Sequence, residues 1–332
     1  NQSAFNQLGL SLFTQHRFAE AQVIAAKQAA LYPDNAQAWL LYSETALERG
    51  DYEVAQRALE KQPDAAKSPS VQAVQARLLD INGHPQPALK MLQQAQAEAD
   101  VNPDMPRENV AWFHMRVGDE LARMGRIDDA QHSYQEALAL FPRDYKTLTG
   151  LTRLAAGRQD WPATISWGKK AMAIVPAPEA VVLVGDAYAA QGNTKDAEDQ
   201  YRLIEAMGTL ARAQRQVYDR YRSRFDSDHG RHLGEALALA QSELKVRQDI
   251  YAYDTLAWAY YKNGMFAQGG AAMKKALAHN TQDSLLFYHA GRIAAAQGDQ
   301  AQAQADLAHA AALDPFFHPD APVVTQHPYG GF

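Results

Sequence analysis

No cysteine occurs in the 332 residues of this chain. That excludes disulfides, thiolate metal sites and a cysteine nucleophile together. Long apolar runs are missing too, since none approaches the ~18 residues of a membrane-spanning helix, so no membrane insertion is expected. A basic excess is also missing: 32 Lys and Arg stand against 38 Asp and Glu, a formal charge of −6. Nucleic acid is therefore not an expected partner, because a general binder needs an electropositive footprint. Enzyme signatures are absent as well. There is no GxGxxG after a strand, no Walker-type lysine loop, no HExxH and no GxSxG elbow. The expectation is no enzyme, no cofactor and no metal site.

What the chain has is a repeat. The stretch Met124–Asp144 reads as a turn at Gly125, an amphipathic helix with Ala130, Tyr134 and Ala137 on one face, and a stop at Pro142. The same phrase recurs: a turn residue, then a small residue five positions on. The pairs are His16 and Ala21, Gly50 and Ala55, Gly83 and Ala88, Gly125 and Ala130, Gln159 and Thr164, Gly192 and Ala197, Arg231 and Ala236, Gly264 and Gly269, Gly298 and Ala303. Successive turns lie 34, 33, 42, 34, 33, 39, 33 and 34 residues apart. A near-constant period of this size signals a solenoid. Small residues let helices approach closely and large apolar ones fill the grooves between ridges. Gly accepts the left-handed conformation at a helix end, and Pro33, Pro142, Pro176 and Pro315 cannot continue a helix interior.

These features resemble the tetratricopeptide repeat family, a 34-residue helix–turn–helix. First-helix matches are Val117-Gly118 with Leu121, Val184-Gly185 with Tyr188, Leu256-Ala257 with Tyr260, and Ala290-Gly291 with Ala294. Second-helix matches are clearest at Ala130, Tyr134, Ala137 and Pro142, and at Ala303, Leu307, Ala310 and Pro315. The resemblance covers roughly residues 2–317 and implies an all-α, right-handed α-solenoid of about nine repeats.

The expected organisation is repeats 1–3 over 1–96, a linker loop over 97–110, repeats 4–9 over 111–317 and an extended Pro-rich tail over 318–332. The 97–110 stretch carries Pro103 and Pro106 and accounts for the 42-residue interval. The 39-residue interval predicts an enlarged turn in the seventh repeat. No polar capping helix follows Pro315, so the tail is expected to plug the last repeat, with self-association through that end as the alternative. The start at Asn1 without Met reads as a processed or trimmed chain. Some bacterial envelope proteins carry similar arrays, and the Ala- and Gln-rich, cysteine-free composition is consistent with that, so a periplasmic or secreted protein is slightly favoured over a cytoplasmic one.

In the resembled family the first helices line a concave groove that holds an extended peptide or a partner's helix. Carried onto this chain, the inward positions are Asn6, Glu44, Glu48, Arg77 and Asp80 early, and Met115, Asp119, Arg123, Arg153 and Asp186 in the centre. Towards the end they are Tyr218, Tyr221, Tyr251, Asp254, Trp258, Lys262, Tyr288 and Arg292, and these form the expected partner-binding set. Tyr251, Asp254, Trp258 and Tyr261 or Lys262 follow a three-four spacing on one helix face. Tyr, Trp and Arg supply the chemistry of binding hot spots. The competing reading packs Trp258 and Tyr251 between neighbouring first helices. His229 and His232, with Asp226 or Asp228, read as a solvated turn rather than a metal site. The functional expectation is a non-catalytic scaffold for a partner protein or extended peptide. The alternative is an accessory domain of a larger enzyme or of an envelope export machine.

Overall fold

The computed structural model of the protein describes residues 1–62, 68–213 and 219–314. Among them lie eighteen helices and no strand. They pair as α1 (Gln2–Thr14) with α2 (Phe18–Leu31), α3 (Ala36–Arg49) with α4 (Tyr52–Glu60), and α5 (Pro69–Ile81) with α6 (Pro85–Asp100). The middle pairs are α7 (Arg107–Arg123) with α8 (Ile127–Leu140), α9 (Tyr145–Gly157) with α10 (Trp161–Met172), and α11 (Pro178–Ala190) with α12 (Thr194–Ala213). The last are α13 (Asp219–Asp228) with α14 (Leu233–Glu243), α15 (Ile250–Lys262) with α16 (Phe266–Ala276), and α17 (Ser284–Ala296) with α18 (Gln300–Leu313). Each helix packs on its partner and on the next pair. The architecture is a right-handed α-solenoid.

The turn chemistry fixes the register. Of the nine turn positions read from the sequence, eight have positive φ, including the non-glycine residues His16 and Gln159, both at 57°. At the ninth, Arg231 itself does not, but its neighbours Gly230 (63°) and His232 (42°) do. The small residue five positions on is buried in every repeat. Starts are chemically marked as well. The side chains of Asn35, Asp144, Asp249 and Asp283 accept hydrogen bonds from the first free amides of α3, α9, α15 and α17. Between turns, a bulky residue on a second helix meets glycines on first helices. Tyr134 is fully buried, and a Cβ at Gly118 or Gly150 would lie 2.7 Å from its ring.

Two expectations about irregular stretches change. Residues 97–100 belong to α6 and 107–110 to α7, so the loop is confined to 101–106. One apolar cluster runs from Ala73 to Leu154 straight past it, so the core does not break there. The 39-residue interval is taken up in part by α12, which is 20 residues long. The tail, with the expected plug, lies outside the described residues. The last helix, α18, turns Gln300, Gln304, Ala301, Ala305 and Ala308 outward, so its exposed face is polar and small, as a cap requires.

The solenoid also closes on itself. The turn after α3 meets the loop before α15: the Gln248 amide donates to Arg49 O at 2.9 Å, and the Ile250 amide to Tyr52 Oη at 3.0 Å. One repeat later the pattern returns. Thr281 Oγ1 donates to Ile81 O at 2.5 Å, and His279 Nδ1 lies 3.2 Å from Asn82 Oδ1. The partners are separated by 197 to 200 residues throughout, close to six periods. Successive superhelical turns therefore touch, and a shared apolar cluster joins Leu47, Tyr52, Leu78 and Ile81 to Ile250, Tyr251, Leu286 and Ile293. Gly50 (φ 85°) and Gly83 (φ 77°) sit at this seam. A Cβ on Gly50 would stand 2.5 Å from the Gln248 carbonyl, and one on Gly83 2.4 Å from Asn280 O.

Candidate functional site

The first helices α3, α5, α7, α9, α11, α13, α15 and α17 place their inner residues around the superhelix axis. Much of that surface is a network of ion pairs. Glu48 bridges Arg77 at 2.6 Å and Arg247 at 2.7 Å. Arg123 pairs with Asp80 at 2.5 Å and with Glu120. Arg153 spans Asp119 (3.5 Å) and Glu179 (2.8 Å). Arg220 holds Asp249 at 2.5 Å and Glu243 at 3.2 Å. Tyr134 and Tyr201 reach in from second helices to donate to Asp119 and Asp186, each at 2.7 Å.

Burial sets the electrostatics. It pushes the Glu44 carboxyl up to about 7, with Arg77 only partly opposing. It does the same to Glu120, up to about 7, since that residue shares Arg123 with Asp80. Burial also acts on Asp249, but Arg220 and Arg247 outweigh it and hold that carboxyl below its ordinary value. Burial opposes the charged form of His229. The Asp186 carboxylate, 2.7 Å from Nε2, nevertheless raises that imidazole above its ordinary value. His229 is thus drawn inward to the Asp186–Tyr201 pair and is no solvated turn residue. Sequence reasoning missed this contact because its partners lie 43 residues away. Among the described residues no three metal-ligating side chains converge.

The expected partner-binding set divides by exposure. Tyr218 lies outside the described residues. Tyr251, Asp254, Trp258 and Tyr288 are buried, at 8%, 0%, 4% and 2% exposure. In this conformation they pack inside the protein, as the competing reading of Tyr251 and Trp258 held. Tyr251 Oη donates to Asp283 at 3.4 Å. Asp254 lies 2.7 Å from His289 Nδ1. Trp258 is stacked between Tyr261 (centroids 4.7 Å, 12°) and His289 (4.0 Å, 16°), and its indole N–H donates to Asp228 at 2.8 Å. Three-four spacing signals a shared face, but the neighbouring helices α13 and α17 cover Asp254 and Trp258, while Tyr251 joins the apolar cluster at the seam.

Tyr221, Lys262 and Arg292 are half-buried and reach solvent, as does Tyr261. Lys262 Nζ lies 5.4 Å from the Trp258 ring centroid and the Arg292 guanidinium 5.7 Å from that of Tyr288. Arg292 also donates to Tyr288 Oη at 3.2 Å. Neither cation has a carboxylate partner among the described residues. The C-terminal rim therefore combines two unneutralised cations with an aromatic floor, next to an acid-rich interior. No helix of the described residues is long and apolar enough to cross a membrane.

Comparison with known proteins agrees with the architecture. The tetratricopeptide repeat profile matches residues 12–78 and again 117–177. No curated protein matches the chain. Among solved structures it is similar to PilW, described as a widely conserved type IV pilus biogenesis factor, at 18% identity and TM-score 0.51 over 62% of this chain and 92% of that one. It is also similar to the human IFIT1 dimer, solved with m7Gppp-AAAA, at 14% identity and TM-score 0.56 over 93% of this chain and 71% of that one. At these identities the likeness concerns the fold alone. The two matched stretches carry tetratricopeptide repeats, and the same turn chemistry and helix pair continue through the rest of the described residues.

Proposed function

We propose that the protein is a non-catalytic interaction scaffold that holds an extended segment of a partner protein against the C-terminal rim of its concave face. The repeat fold is typically a scaffold without chemistry of its own. The single observation behind this reading is the rim itself. Lys262 and Arg292 are partly exposed, lack carboxylate partners among the described residues and stand over Trp258 and Tyr288. Such a surface suits acidic and aromatic side chains. Tyr221 and Tyr261 extend it, while Tyr251, Asp254, Trp258 and Tyr288 act as its buried support.

The test is an array of extended peptides, acidic, neutral and basic, probed with wild type and with Lys262→Ala/Arg292→Ala. Both side chains reach solvent, so the double variant is expected to keep its melting temperature within about two degrees, typical of surface changes. Acidic peptides are expected to bind wild type and to lose about tenfold or more on the variant. Equal binding by both proteins would refute the rim as the site. The IFIT1 structures hold capped or triphosphate RNA, which makes such an RNA the informative competitor. RNA binding that depends on these two residues, with no peptide binding, would replace the proposed partner class.

A further inference from the structure

We propose that the contact between repeats 2–3 and repeats 7–8 is a gate: the superhelix exchanges between the closed form seen here and one in which this seam has parted. The buried inner groups become reachable only in the parted form. The inference does not depend on which partner the rim holds.

Three observations carry it. The seam's polar contacts are made by turns rather than by helices lying along one another: Arg49 O, Asn82 and Gly83 meet Gln248, His279 and Asn280. Turn contacts can separate without unwinding any helix, whereas neighbouring repeats among the described residues pack mainly helix on helix. Second, among the described residues the seam breaks the solenoid's quasi-one-dimensional logic, since its hydrogen-bonded partners lie 197 to 200 residues apart. Parting it leaves the nearest-neighbour stack whole. Third, its ionic part is built to be pulled both ways. Glu48 is shared between Arg77 on its own side and Arg247 across the seam, so it keeps a cationic partner when the seam opens. Arg247 likewise keeps Asp249, at 3.2 Å. Neither Glu48 nor Arg247 is stranded by the motion, which lowers the cost of separating these charged surfaces.

The experiment is native-state hydrogen exchange. The amides of Gln248 and Ile250 report directly, because their acceptors, Arg49 O and Tyr52 Oη, lie across the seam. In wild type they are expected to exchange about tenfold or more faster than amides in the middle of α7 and α8, with a weak dependence on denaturant. The chain has no cysteine, so Asn82→Cys/His279→Cys can be bridged by a short bis-maleimide at the seam's solvent edge. Bridging is expected to slow Gln248 and Ile250 although they lie a full repeat from the link. If bridged and unbridged proteins exchange alike at those amides, the opening is local fraying and the gate is refuted. Exchange at the rate of α7 and α8 in the unbridged protein would also refute it, because the seam would then open only with global unfolding.

Discussion

Replacing Gly83 by Ala separates the cost of a left-handed turn from the cost of disturbing the seam. Gly83 and Gly192 occupy equivalent turns with nearly the same backbone, φ 77° and 75°. Each Ala substitution pays about 1 kcal/mol for a Cβ in the left-handed region. At Gly192 nothing lies within 4 Å of the new methyl, so that is the whole cost. At Gly83 the methyl would sit 2.4 Å from Asn280 O, and the facing loop must retreat by about an ångström to reach ordinary contact distance. That movement breaks the bond from Thr281 to Ile81 O and the contact between Asn82 and His279, each worth about 1 kcal/mol. Gly83→Ala is therefore expected to cost about 3 kcal/mol against about 1 for Gly192→Ala. The loss is bounded by the free energy of the seam, since parting it relieves the clash. Urea melts followed by helical circular dichroism measure both variants side by side. Equal losses would mean that the facing loop yields freely and that the seam contributes nothing.

Two further outcomes follow from burial. Trp258→Ala removes a ring that is 4% exposed and stacked on both faces, and is expected to cost about 3–5 kcal/mol in the same melts; an unchanged midpoint would return that ring to the surface and to direct partner contact. Glu44 is pushed up to about 7 from an ordinary 4.5, so its contribution to stability is fullest below about pH 4.5 and is lost as the pH rises through about 7, where the folded protein must hold the charge. Full linkage would be about 3 kcal/mol, reduced to ~1–2 by the contact the side chain keeps with solvent. Glu44→Gln should thus gain stability over wild type increasingly between pH 5 and pH 8, and a difference that stays flat across that range would refute the assignment.

The fold was legible because each repeat advertises itself locally. A residue able to take positive φ and a small residue five positions later lie within one helix pair, so the periodicity needs no distant information. Even His16 and Gln159, poor candidates by residue type, were placed by register alone. The same locality limited the reading of the site. Three-four spacing put Tyr251, Asp254 and Trp258 on one face correctly, but whether that face meets solvent is decided by residues outside the helix: Asp228 and His289 of the neighbouring repeats for Trp258 and Asp254, and a cluster reaching some 200 residues back for Tyr251. The inner positions Glu48, Arg77, Asp80, Asp119, Arg123, Arg153 and Asp186 were identified as inward, yet their pairing with one another rests on the pitch of the superhelix. The loop at 101–106 was overextended because Pro103 and Pro106 mark a break without saying how far the flanking helices run.

An open stack of helix pairs can gain or lose a unit anywhere along its length, since each unit is answerable only to the ones beside it. This molecule has surrendered that freedom over most of its span. Duplicating one unit between Asp51 and Gln248 would carry the facing loops a step further round and leave Gly50 and Gly83 opposite the wrong backbone. The distance between those two places along the polypeptide acts as a ruler, and drift in unit number is expected to be tolerated only outside it.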